Sequence, residues 1–174
     1  MILMRKLHWI LILVVFVLGI KSCSIEYTFT GASIPIEAKT FTVRDIDNIA
    51  PTINPSLASD LQLALSDKLL TQTRLSSVPY DGDLIYDITI TGYEVKPTSI
   101  SGGDESVAVE NRLTVRVKVK YMNRYDQEAE FEKSFSQFAD YESDQNLLDV
   151  EDGLVETIIE NLINDIFNAS VANW

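Results

Sequence analysis

The sequence is poor in the residues that most catalytic and redox chemistry uses. Its 174 residues hold one histidine, His8, and one cysteine, Cys23. A single cysteine excludes a disulfide within the chain and any CxxC redox pair. Long apolar runs are scarce as well. The longest, Trp9 to Ile20, is 12 residues of apolar side chains and glycine, preceded by Arg5 and Lys6. A bilayer span needs roughly 20 apolar residues, whereas the apolar part of a secretory signal needs about 7–15. The segment reads as a cleaved signal peptide over residues 1–22.

Cleavage ahead of Cys23 removes His8 and makes the cysteine the first residue. No Ser-His-Asp or Cys-His nucleophile pair can then be assembled, and no His/Cys zinc site. Glycine-rich nucleotide loops and calcium-loop spacings are absent. No cofactor is expected, and an enzyme would have to work with carboxylates alone. Cations are few too. The chain has 14 Lys and Arg against 26 Asp and Glu. Loss of Arg5, Lys6 and Lys21 leaves 11 against 26, a net charge near −15. Binding to nucleic acid through counterion release needs clustered cations, so nucleic acid is not an expected partner.

What is present is alternation and helical spacing. Lys39 to Val43 alternates as a strand with Phe41 and Val43 inward. Asn54-Pro55 offers a helix start, asparagine as cap and proline at the first helical position. Leu57, Leu61, Leu65 and Leu69 then recur on one face. Arg74 to Val78 offers a short extra strand. Asp83 to Val95 alternates, with Gly92 marking a bulge. Pro97 to Glu105 reads as a long polar loop. Arg112 to Tyr121 carries the strongest alternation, and Glu128 to Phe138 reads as its return strand. From about Asp144 to Ala169 a continuous stripe through Leu154, Ile158, Leu162 and Ile166 makes a second helix, its acidic residues on the outer face. The expected class is α+β: two helices packed on one face of a small mixed four- to five-stranded sheet, in the order β-α-β-β-β-α. Residues 23–37 read as a tether and 38–174 as one domain.

Arg112, Arg116, Lys118 and Lys120 occupy four of five outward positions on one strand, the one cationic concentration in the chain. Two readings stay open. The comb binds anionic groups such as glycolipid phosphates, or it pairs across the sheet with Glu128, Glu130 and Glu132. Pairing is favoured, because the acidic residues alternate on the adjacent strand. The terminal Trp174 is either a packing lid or a partner contact.

Several stretches in order resemble a known family: YTFTGASIP from Tyr27, AKTFTV from Ala38, NRLTVRVKVKY from Asn111, FEKSFSQFADYES from Phe131 and the close from Val150 to Trp174. Together they are similar to the lipopolysaccharide-assembly lipoproteins of the LptE family, in the form found in the Bacteroidota. The resemblance implies a non-catalytic lipoprotein on the periplasmic face of the outer membrane. It implies a complex with an LptD-like β-barrel, which the protein plugs, and a role in inserting lipopolysaccharide into the outer leaflet. An auxiliary lipoprotein subunit of another envelope transport or secretion complex is the alternative. Ile20 and Ser22 ahead of Cys23 fit a lipoprotein signal, and Lys21 departs from it. Cys23 is the expected lipid attachment point, where two glyceryl-borne acyl chains and a third on the amine, such as palmitate, give stable anchoring.

Overall fold

The computed structural model describes residues 34–51, 54–101 and 107–171. The chain divides into the units Met1–Thr30 and Gly31–Trp174, and the fold is that of the second. Cys23, Trp174, the segment expected to be a signal peptide and most of the expected tether lie outside the described residues.

Six strands form one mixed sheet: β1 (Thr40–Val43), β2 (Asp47–Asn48), β3 (Ser76–Ser77), β4 (Leu84–Ser101), β5 (Val107–Asn123) and β6 (Phe131–Glu142). The helices are α1 (Leu57–Gln72) and α2 (Leu147–Ser170). The strand order is β3-β1-β4-β5-β6, with β2 also on β4. The pairs β1–β3, β1–β4 and β2–β4 are parallel, and β4–β5 and β5–β6 are antiparallel. The α+β architecture is the expected one. The sixth strand is β2, which the sequence reading left outside any strand because two polar residues carry no alternation. It runs along the same edge of β4 as β1 does, and Ile49 donates to the Ile90 carbonyl at 3.0 Å to hold it there.

Three expectations about boundaries need correction. The polar segment from Pro97 is not all loop: β4 continues to Ser101 and β5 begins at Val107, because backbone pairing across a hairpin tolerates polar side chains. Helix α1 starts at Leu57, two residues beyond the expected start, yet Asn54 still does the capping. Its Oδ1 accepts from the amides of Ser56 (3.1 Å) and Leu57 (3.2 Å), while Ser56 itself makes no side-chain cap. The return strand starts at Phe131, not Glu128. Asp126 accepts from the amides of Glu128 and Ala129 and folds 127–129 into a 3₁₀ turn. The expected bulge at Gly92 is present as a register shift between Ile90 and Gly92.

The core lies between one face of the sheet and the two helices. Leu84, Tyr86, Ile88 and Ile90 of β4 and Leu113, Val115, Val117 and Val119 of β5 are buried on that face. Leu57, Leu61, Leu65 and Leu69 of α1 meet them, with Ile158, Leu162 and Ile166 of α2. Each such side chain contributes about 1.5–3 kcal/mol on burial. Helix α2 also buries Val155, Ile159 and Ile163, a second flank that the simple stripe did not include. The reason is helix–helix packing. Asn54 bonds to Glu151 at 2.8 Å and Lys68 to Asn164 at 2.6 Å, so the helices run side by side in the same direction. Tyr86 and Tyr121 meet in the core with their ring centres 5.2 Å apart and their planes tilted by 45°, and Tyr121 meets Phe131 at 5.3 Å. Burial pushes the Tyr121 phenol up to about 12, and the Tyr86 hydroxyl donates to Ser170 at 3.0 Å.

Asp83 ties the sheet together. It is nearly buried, and its Oδ2 accepts from the amides of Lys39 (2.9 Å) and Thr40 (3.1 Å) and from the Thr40 hydroxyl (3.0 Å). Arg124 reaches its other oxygen at 3.2 Å. The Lys39 amide does most to hold its carboxyl below the usual aspartate value. The preceding Gly82 has no room for a side chain: a Cβ there would come within 2.6 Å of the Phe41 carbonyl carbon.

Candidate functional site

Strand β5 presents opposite chemistry on its two sides because side chains alternate across a strand. Its odd-numbered residues from Leu113 to Tyr121 enter the core. Arg112, Arg116, Lys118 and Lys120 stand on the face the helices leave open, as the sequence led us to expect. Their neighbours are set by register. Across β5–β6, Arg112 lies opposite Asp140, Arg116 opposite Ser136, Lys118 opposite Ser134 and Lys120 opposite Glu132. On the β4 side, Lys96 lies opposite Arg112, Gly92 opposite Arg116 and Asp87 opposite Lys120.

Three of the four cations are paired. Arg112 grips Asp140 through two bonds of 2.7 and 2.8 Å, and its guanidinium lies 3.6 Å from the centre of the Phe138 ring. Arg116 pairs with Glu94, which Lys96 also reaches at 2.9 Å. Lys118 pairs diagonally with Glu132. Hydrogen bonds from Arg112, Lys96 and Lys118 hold Asp140, Glu94 and Glu132 respectively below their usual values. Lys120 forms no ion pair among the described residues. Its charge helps lower Glu132, while Arg44 holds the facing Asp87 at 2.7 Å.

Pairing within the sheet is therefore present; Glu132 is an expected partner, while Glu94 and Asp140 stand in place of Glu128 and Glu130. Glu128 lies in the 3₁₀ turn, and Glu130 precedes β6 and accepts from the Asn123 amide at 3.2 Å. Of the three glutamates only Glu132 faces the comb. Glu94 and Asp140 were missed. Continuing the alternation of FEKSFSQFADYE to its end puts Asp140 outward, and the bulge at Gly92 turns Glu94 outward, so the signal for both was in the chain. Glu151 is also misplaced by the sequence reading. It is not a solvated outer residue: it accepts from the Tyr93 hydroxyl and the Asn54 amide, and burial, with this carboxylate beside it, pushes the Tyr93 phenol well above its ordinary value.

Two clefts lie elsewhere. One of about 770 Å³ runs between α1 and the 77–81 turn, past Gln62, Leu63 and Tyr80. The other, about 520 Å³, lies between the helices over Val155, Ile159 and Ile163, rimmed by Asp60, Asp152, Glu156 and Glu160. Its four carboxylates against the single cation Lys68 disfavour a phosphate there. Among the described residues no group of His, Cys, Asp and Glu is arranged to hold a metal ion, and no helix is long and apolar enough to cross a membrane.

The model of the lipopolysaccharide-assembly family LptE matches residues 38–170. The chain belongs to that family. The match begins two residues before β1 and ends with α2, so the LptE region is the whole helix-on-sheet unit described above. No curated protein matches the sequence. Among solved structures, a hypothetical protein of Chlamydia trachomatis is similar at 9% identity and TM-score 0.51, over 78% of this chain and 100% of that one. A protein of Xanthomonas campestris is similar at 10% identity and TM-score 0.51, over 78% and 85%. An uncharacterized lipoprotein B of Nitrosomonas europaea is similar at 19% identity and TM-score 0.46, over 77% and 81%. At these identities the likeness is one of fold. The Chlamydia and Xanthomonas proteins share the fold of this chain with little common sequence.

Proposed function

We propose that this chain is a non-catalytic lipoprotein held on the periplasmic face of the outer membrane through Cys23. There it plugs and helps assemble an LptD-like β-barrel and assists insertion of lipopolysaccharide into the outer leaflet. The observation that carries this reading is the family match over residues 38–170. The physical chemistry is consistent with it. A barrel wide enough to pass a glycolipid encloses an aqueous lumen that needs closing. A compact unit with a charged open sheet face can lie against a polar lumen wall. Anchoring in the same membrane raises its effective concentration at the barrel.

The open face offers a place for lipid A phosphates at Arg116, Lys118 and Lys120. Lys120 is available, and exposed pairs such as Lys118–Glu132 contribute little net stability. A phosphate carries more charge than the carboxylate it would displace, and it accepts hydrogen bonds from several donors at once. Trp174 is proposed as a barrel contact.

Affinity purification from detergent-extracted membranes tests the main reading. A large outer-membrane β-barrel should come down with the chain, and recovery of an inner-membrane ATPase complex alone would overturn it. The phosphate site is tested by changing Arg116, Lys118 and Lys120 to Glu, with a Gln triple variant to separate charge loss from new repulsion. Both should weaken lipopolysaccharide binding; the Gln variant should keep the parent's circular dichroism and unfolding midpoint, while the Glu variant keeps the fold at a lower midpoint because Glu132 and Asp87 face residue 120. Unchanged binding by both would sink the site and leave the plug role standing.

A further inference from the structure

The two edges of the sheet are finished differently. At one edge β3 is two residues long, Ser76 and Ser77, and the chain turns away through Val78 and Pro79. That is a blunted edge of the kind soluble proteins use to prevent strand pairing. At the other edge β6 runs for 12 residues. Its pairing with β5 is continuous from Tyr121–Phe131 to Glu110–Glu142, without a bulge, and its sequence FEKSFSQFADYE has no proline. No described strand pairs with its outer side. In an antiparallel ladder alternate residues direct both N–H and C=O away from the partner strand. Half of the β6 backbone groups therefore point outward as an unfilled ladder.

The side chains along this edge are also unfinished. Phe131 and Phe135 on the helix side are only partly buried, and Phe138 on the open face is 45% exposed. The strand's one lysine, Lys133, lies over the Phe131 ring at 5.0 Å. Small residues, Ser134 and Ser136, occupy the middle of the open side.

We propose that β6 is a strand-addition site, at which an extended segment of a partner β-sheet protein adds to the edge as a seventh strand. Main-chain hydrogen bonds would hold the segment, and alternate apolar residues on it would complete the burial of Phe131 and Phe135. A second copy of this chain is a poor occupant. In the two antiparallel self-pairings that use most of the strand, Glu132 faces Asp140 or Glu142, and directly opposed like charges destabilise a sheet. The excess of acidic over basic residues in the chain adds to that repulsion. The complementary strand carries neutral or basic residues where it meets Glu132, Asp140 and Glu142.

The inference concerns how a partner strand is held, and it does not depend on the partner being a barrel. The test uses the full-length chain in its own envelope. A photo-crosslinking amino acid is placed at Ser134 or Ser136, with Ser59 on the far side of α1 as control. Hydrogen exchange of the β6 amides is then compared between the free chain and the isolated complex. Crosslinks from both β6 positions should reach one extended segment of another protein. Alternate β6 amides should exchange slower by about tenfold or more in the complex, as ladder formation removes local opening.

Lys133→Pro and Ser134→Pro give a second readout. Adjacent residues point their amides to opposite edges, so one variant removes a bond to β5 and the other removes only an outward donor. The variant that keeps the parent unfolding midpoint should lose the crosslinked complex. The proposal is overturned if outward amides exchange equally fast in both states, if they are already protected in the free chain, or if crosslinks reach only a second copy. A barrel that co-purifies without β6 protection would keep the proposed function and sink this inference. β6 crosslinks to a strand of some other protein would do the reverse.

Discussion

The two faces of the sheet are made from the same strands and are held by different physics. On the covered face β4 and β5 contribute Tyr86, Ile88, Ile90, Val115, Val117 and Val119, each at 0 or 1% exposure, against two helices. On the open face the same strands contribute Glu94, Arg112, Arg116 and Lys118, in ion pairs open to water. Burial of apolar area is favourable wherever it occurs, so the covered face fixes the fold. Exposed ion pairs are screened and nearly balanced by water, so the open face can exchange partners without unfolding the molecule.

That contrast can be broken most severely from the covered side. Leu162→Ala removes a fully buried side chain between α2 and the sheet and should cost about 2–5 kcal/mol, read as a lower denaturant midpoint at unchanged slope. Next in size is Asp83→Ala, at the junction of β1, β4 and the turn after β5. It leaves the Lys39 and Thr40 amides without their acceptor and should cost about 1–3 kcal/mol. The same residue gives a pH signature. Its folded-state pKa lies below the unfolded value of about 3.9, so its contribution is complete above that value and is lost as pH falls through the folded pKa. Thermal melts from pH 6 to pH 2 should therefore fall more steeply for the parent than for Asp83→Ala.

The smallest effects belong to the open face. Arg112→Ala removes both bonds to Asp140 and the stacking on Phe138, yet the thermal midpoint should hardly move. Raising the salt to about 1 M, where the screening length is roughly 3 Å, should likewise leave the midpoint nearly unchanged. A large loss from Arg112→Ala would show that the open face is part of the structural core, and it would weaken the case for a face whose ion pairs yield to a ligand.

The gap between Asp140 and Glu128 shows where sequence reasoning slipped. Alternation identified the faces of β5 correctly, since period-two patterning is local. It did not say where β6 begins. That depended on Asp126 capping a 3₁₀ turn, which moved the strand start to Phe131 and took Glu128 and Glu130 out of the register. Glu151 was misread for a related reason. The acidic pattern of α2 is a helix-surface pattern, but the surface near Glu151 is covered by Tyr93 and Asn54, 58 and 97 residues away in sequence.

By itself the sequence determined the class of the fold, the two amphipathic helices, the basic side of β5 and the bulge at Gly92, because each is written in the spacing of residues within one element. It also carried the family resemblance that the match over residues 38–170 bears out. Tertiary structure alone decided which carboxylates neutralise which cations, that Asp83 joins three segments, and that one sheet edge is blunted while β6 is left open. Those are matters of register and strand order, set by contacts between segments far apart in the chain, and no local pattern encodes them.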